Sequence, residues 1–323
     1  MRVKLAVFTL IVSLLSACQS NRKAERSTEH FTIATLKGPS AMGMIWVVDS
    51  LAQLGTNATG KAVILNEPLQ VRKMMLEGEA DFAVLPTTMA AIMYNKKVDY
   101  QLLAIPVWGT LYLFGSDTTI HTWEQLRGKR INVMAKGMTP DVLFRYLLQQ
   151  HGINPETDVT LDYSFPTHID LANAVAANRA SLGVISEPLV SLVAHKNPSV
   201  KAIMDLNKEW IKATGMAMPQ TALMVKRQFA QQHPDVVNQV SAAFAHSTQW
   251  VNANPVAAAE LIVKYDILPN AAVAQASIPR SNLSYVYAID IKEQINGYLE
   301  LFYKMNSDIV GGKVPDDGFY YKK

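Results

Sequence analysis

The stretch Lys61–Pro86, KAVILNEPLQVRKMMLEGEADFAVLP, decides the fold. KAVILN is a short apolar run that reads as a strand, and PLQVRKMMLEGE reads as a helix with Pro68 in its first turn. DFAVLP is a second apolar strand, and it stops at Pro86. Two buried strands around a helix predict parallel pairing with both faces covered. The pattern repeats outward. Upstream lie the strand FTIATL (31–36), the loop KGPSAMG (37–43) and a helix from about Gly43 to Leu54. Downstream, YQLLAIPVW and TLYLFGS are extended. A second series starts at KRINVM, with the loop AKGMTP and a helix Asp141–His151, then the strand VTLDYSF and a helix Ile169–Asn178. The strand SLGVIS, a helix Pro188–Lys196 and the strand VKAIMDL complete it, and PQTALMVKR returns in extended form. The remainder reads as helical over Gln228–Asn252, Pro255–Tyr265, Ala271–Ala276 and Ser284–Met305. The expected fold class is α/β: two mainly parallel lobes joined by crossovers near 104–116 and 217–226.

Composition narrows the class. The chain has 323 residues, 49% hydrophobic and 18% charged, enough for about two domains at roughly 150 residues each. Such a balance excludes disorder. After the first 18 residues no apolar run reaches the roughly 20 residues of a membrane span. Of the formal net charge of +3, Arg2 and Lys4 sit in a segment read as removed, which leaves +1. With no basic block to track phosphates, no nucleic-acid partner is expected.

The first residues, MRVKLAVFTLIVSLLSAC, read as an export signal over 1–17: a positive start, an apolar Leu5–Leu15 and small residues. Leu15-Ser16-Ala17-Cys18 resembles the bacterial lipobox, which implies that Cys18 becomes the lipidated first residue of a membrane-anchored lipoprotein. Cys18 is the only cysteine, so disulfides and thiolate metal sites are excluded. Residues 18–30 read as a polar tether. The expected location is the cell envelope, facing the periplasm or cell exterior.

The motifs TLKGPSAMGM (35–44), TWEQLRGKRINV (122–133), GMTPDVLFRYLL (137–148), SEP (186–188) and GGKVPDDGFYY (311–321) resemble, in order and spacing, the substrate-binding proteins of ABC importers. More narrowly they resemble the nitrate/sulfonate/taurine and thiamine-precursor binding group. The resemblance implies a periplasmic binding protein type II fold, with lobe I formed by residues 31–107 and 222–323 and lobe II by 108–221. It also implies capture of a small organic anion in an interlobe cleft and delivery to an ABC permease and its ATPase. A monomer is expected. The alternatives are import of a thiamine pyrimidine or other heterocycle, a solute sensor module, or an enzyme on the same fold.

Ligands of open α/β sheets sit outside the carboxyl ends of strands, where helix N-termini favour anions. Strand ends therefore give the candidate ligand-binding residues. Lys37, Gly38 and Ser40 follow the first strand; Thr87 and Thr88 follow the third, as hydroxyl donors or plain caps. Trp108 and Gly109 lie at the first crossover, with the indole as a lid or as core. Gly137, Met138 and Thr139 form the best candidate anion nest, with Thr139 as cap before Pro140; the resemblance implies that this loop holds the ligand's acidic group. Phe165 and Ser186 end later strands. Glu187 is read as an acceptor for a ligand N–H or as half of a hinge salt bridge. Arg280 is read first as a solvated surface cation and second as an anion contact.

Catalysis is not expected. Gly38…Gly43 mimics a P-loop start, but Met44 stands where lysine is required. The seven histidines show no metal-ligand spacing, and there is no GxSxG elbow. Neither cofactor nor metal is expected.

Overall fold

The computed structural model describes residues 29–51, 58–134 and 136–322. The export signal, Cys18 and most of the tether lie outside these residues, as do the last residues of the expected helix 43–54.

Strand β1 (Glu29–Leu36) takes in Glu29 and His30, two residues read as tether. It pairs in parallel with β2 (Ala58–Leu65) and β3 (Phe82–Pro86). Short helices α1 (Pro39–Gly43) and α2 (Ile45–Ser50) follow β1. Helix α3 (Pro68–Glu77) joins β2 to β3. A capping box between Glu67 and Gln70 starts it, and Gly78 at φ 72° ends it. Val71 and Met75, four residues apart, bury its inner face. Helix α4 (Thr87–Asn95) leads to β4 (Tyr100–Trp108), which crosses to the second lobe as β5 (Leu111–Gly115).

Lobe II continues with β6 (Arg130–Val133), α5 (Thr139–Gln150), β7 (Thr160–Asp162), α6 (His168–Ala176), β8 (Leu182–Ser186), α7 (Leu189–Lys196), β9 (Lys201–Asp205) and α8 (Leu206–Thr214). β10 (Pro219–Lys226) returns to lobe I. There α9 (Arg227–Gln232), α10 (Pro234–Ala253), α11 (Pro255–Lys264), α12 (Ala271–Ser277), β11 (Leu283–Tyr287) and α13 (Lys292–Met305) complete the chain.

The sheets run β11-β4-β10-β3-β1-β2 and β7-β6-β8-β5-β9. Both are mixed rather than mainly parallel: β10 is antiparallel to β3 and β4, and β5 is antiparallel to β8 and β9. The reversal has a geometric cause. β4 runs with β3, so it leaves lobe I at that sheet's carboxyl edge. As β5 it enters lobe II against the direction of β8, which is to say from the carboxyl edge of the second sheet. The carboxyl edges of the two sheets therefore face each other.

Several local expectations change. The loop expected over 37–43 is helical from Pro39 to Gly43, with Pro39 in its first turn, and the strand expected as VTLDYSF covers only Thr160–Asp162. α8 was not anticipated, although Asp205 caps it by accepting from the Asn207 and Lys208 amides at 3.0 and 3.1 Å and Gly215 at φ 72° stops it. The expected helix 228–252 breaks at His233, because Pro234 opens α10 at its first turn. The expected helix 284–305 begins only at Lys292, since the alternating Leu283–Tyr287 pairs with β4 as a strand.

One apolar cluster runs through both lobes. Behind the hinge, Trp210 of α8 meets Tyr298 and Phe302 of α13 at ring distances of 5.9 and 5.8 Å, and Tyr146 of α5 at 5.5 Å. The C-terminal segment closes over β4, with the Tyr321 amide donating to the Leu102 carbonyl at 2.9 Å. Replacing the cap of α8, Asp205→Ala, is expected to lower stability by about 1 kcal/mol, read from urea unfolding.

Candidate functional site

The site is built where both sheets end. In lobe I the chain leaves β1 and turns through Gly38, whose φ of 113° suits glycine, into α1. Ser40 is buried in that helix. β3 ends at Pro86, so Thr87 and Thr88 are the first residues of α4, and Thr221 of β10 stands opposite Pro86. The hydroxyls of Thr35, Thr87 and Thr221 are buried and make no hydrogen bond. They come from the adjacent strands β1, β3 and β10 or the helix start directly after β3. An unpaired buried polar group costs about 1–3 kcal/mol, so this edge carries unspent hydrogen-bonding capacity.

In lobe II, Met138 rather than Thr139 is the N-cap of α5, and Thr139 and Pro140 are its first two residues. A first-turn proline suits that position, since no helical partner is lost there. The Gly137 amide donates to the Asp141 carboxylate at 2.7 Å, so the chain's own anion engages that part of the expected nest. Asp141 also accepts from Arg145 Nε at 2.9 Å and from the Tyr163 hydroxyl at 2.7 Å. Burial, then the bond to Asp141, pushes the Tyr163 phenol up to about 12. At the start of α6, Thr167 caps by accepting from the Asp170 amide, and His168 follows. Burial pushes the His168 imidazole down to about 4, so it is neutral at pH 7.

The hinge is the third component. The Gly109 amide donates to the Met218 carbonyl at 3.0 Å, tying one crossover to the other. Gln220 accepts from the Thr110 amide at 2.6 Å and donates to its hydroxyl at 2.7 Å. A Cβ on Gly109 would come within 2.2 Å of the Asn207 side chain, so glycine is required by space. Trp108 donates its indole N–H to the Ser284 carbonyl at 2.8 Å, which pins the ring to β11.

Residues 52–257 match the family described as "ABC transporter, phosphonate, periplasmic substrate-binding protein". The chain belongs to that family. Among solved structures, this substrate-binding protein is similar to an ABC transporter protein from Parabacteroides distasonis, with 26% identity, a TM-score of 0.78, and 92% of this chain and 100% of that one covered. It shares its fold with the periplasmic aliphatic sulphonate binding protein SsuA from Escherichia coli (17% identity, TM-score 0.70, 86% and 88% covered). The same holds for the periplasmic nitrate-binding protein NrtA from Synechocystis (15%, 0.64, 88% and 84%). The Bacillus subtilis binding protein YtlA is 27% identical over 143 residues, 44% of this chain, and the match spans only 41% of YtlA's own length. These neighbours accord with the two-lobed α/β fold of this substrate-binding protein. Among its described residues no helix is long and apolar enough to cross a membrane.

Of the residues singled out from the sequence, the fold of this binding protein brings Thr88 and Thr139 together across the lobes, Oγ1 to Oγ1 at 2.9 Å. It sets Gly38 against Pro188, next to Ser186 and Glu187. Glu187 is the partner of Arg280, Oε1 to Nε at 2.7 Å, so Arg280 is an interlobe cation rather than a solvated one. Others point elsewhere. Lys37 pairs with Asp266 at an exposed rim, Met138 is 40% exposed, and Phe165 packs on lobe II with Arg179 over its ring. Thr35 and Thr221 were not anticipated as candidate site residues. Thr35 and Thr221 are polar positions inside the apolar strands FTIATL and PQTALMV, a signal that needs the register to interpret.

His168 also sets a pH dependence. Its folded pKa lies below the unfolded value near 6.5, so the unfolded chain takes up the proton first and stability falls as pH drops from about 6.5 to about 4. A His168→Gln variant is expected to lose less melting temperature than the wild type over that window, measured by thermal unfolding at stepped pH.

Proposed function

We propose that this protein is the solute-binding component of an ABC importer. It takes a small organic anion of the sulfonate, taurine or nitrate kind between the facing carboxyl edges and delivers it to the permease and its ATPase. Export by residues 1–17 and a lipid on Cys18 would hold it at the cell envelope, where a monomer suffices for this role.

The observation that carries the reading is the row of unpaired buried hydroxyls on Thr35, Thr87 and Thr221, beside the N-terminus of α4. Hydroxyl donors with a helix N-terminus suit an oxoanion without requiring a cation. Repulsion is reduced, because Asp141 and Glu187 each face an arginine, Arg145 (which Glu156 shares) and Arg280. Thr88 and Thr139, one from each lobe, supply hydroxyls that closure brings to the same place. Family membership and the sulphonate and nitrate binders among the fold neighbours support import over sensing or catalysis.

A phosphonate is the second reading, favoured by the description of the matching family. The two differ in one proton: an alkylphosphonate near neutral pH can keep a P–OH donor, whereas a sulfonate only accepts. Titration calorimetry with ethanesulfonate, methylphosphonate, nitrate and a thiamine pyrimidine separates them. Ethanesulfonate is expected to bind, and Thr87→Val to weaken it about tenfold, the value of one hydrogen bond. Binding of none of the four would refute an anion site.

A further inference from the structure

We propose that Arg280 is an interlobe latch that sets how far the cleft opens, through contacts supplied by the chain itself. Arg280 belongs to lobe I, in the 3-10 turn Ile278–Arg280 between α12 and β11. Its partners, Glu187 and Ser191, belong to lobe II, at the end of β8 and in α7. The guanidinium Nε lies 2.7 Å from Glu187 Oε1, and Nη2 donates to Ser191 Oγ at 2.6 Å. Ser191 in turn donates its hydroxyl and amide to the Glu187 carboxylate at 3.0 and 3.1 Å.

Burial makes the pair consequential. The Glu187 side chain is 0% exposed and that of Arg280 37%. Within lobe II the carboxylate has hydrogen bonds from Ser191, and its contacting cation comes from the other lobe. A buried carboxylate that loses its cation is strongly disfavoured, so separating the lobes at this edge requires Glu187 to be rehydrated. Other contacts gather here. The Tyr112 hydroxyl of β5 donates to the Arg280 carbonyl at 3.4 Å. Leu192 of α7 packs on the lobe I cluster that holds Ile278 and Leu283, and Pro188 lies against Gly38. Any contact made only when the lobes are together raises the closed fraction, and a solute that prefers the closed form gains apparent affinity accordingly. The latch goes beyond the choice of solute and does not depend on it.

Small-angle scattering of the purified full chain without added solute tests this, with circular dichroism confirming that each variant is folded. Arg280→Gln and Glu187→Gln are each expected to shift the radius of gyration above that of the wild type. Arg280→Lys should fall between, since an ammonium keeps the charge but cannot span Glu187 and Ser191 together. Wild-type scattering from either folded glutamine variant would overturn the latch. So would loss of folding in both, which would assign the pair to fold stability rather than lobe angle.

Discussion

The arrangement depends on the direction in which two strands enter their sheets. β5 and β10 each carry the chain from one lobe into the other, and each runs antiparallel to both neighbours. That reversal makes the carboxyl edges face each other, and with them the starts of α4, α5, α6 and α7. Had the crossing strands entered in parallel, the helix N-termini of the two lobes would point away from a common space. The hinge bonds between Thr110 and Gln220, and between Gly109 and Met218, hold the two crossovers as one unit.

Two carboxylates at the facing edges are held within the protein. Asp141 is held by Arg145 and Tyr163, and Glu187 by Ser191 and Arg280. Burial raises the Glu187 carboxyl above the usual carboxylate range, and Arg280 and the Ser191 hydrogen bonds oppose that rise. Beside these pairs the lobe I edge presents neutral groups, the threonine hydroxyls and the amides at the start of α4. Such groups recognise by direction and number of hydrogen bonds rather than by net attraction, which favours a small solute fully enclosed over one held loosely at a rim.

How much of this was legible in the sequence depended on range. Local signals carried the strand–helix–strand unit from Lys61 to Pro86, because Pro68 and Pro86 punctuate it; the helix was read through Glu79, whereas Gly78 in the left-handed region stops it at Glu77. α8 carried equally good signals in Asp205 and Gly215 but is a single short helix between two strands, and its apolar positions are sparse. β11 was masked by the helical pattern that follows it, and only pairing with β4 makes Leu283–Tyr287 extended. The strand ends put Thr87, Thr88 and Thr139 among the candidates from position alone. Thr221 joins them only through its register against Pro86, and Arg280 meets Glu187 only when the lobes adjoin. Neither relation is encoded in spacing along the chain.

We propose that an external oxoanion completes the hydrogen bonding of Thr35, Thr87 and Thr221. A crystal structure of the protein grown with ethanesulfonate tests it most directly. Sulfonate oxygens are expected within hydrogen-bonding distance of at least two of those hydroxyls, enclosed between the lobes. A sulfonate bound elsewhere, with the three hydroxyls unchanged, would contradict it.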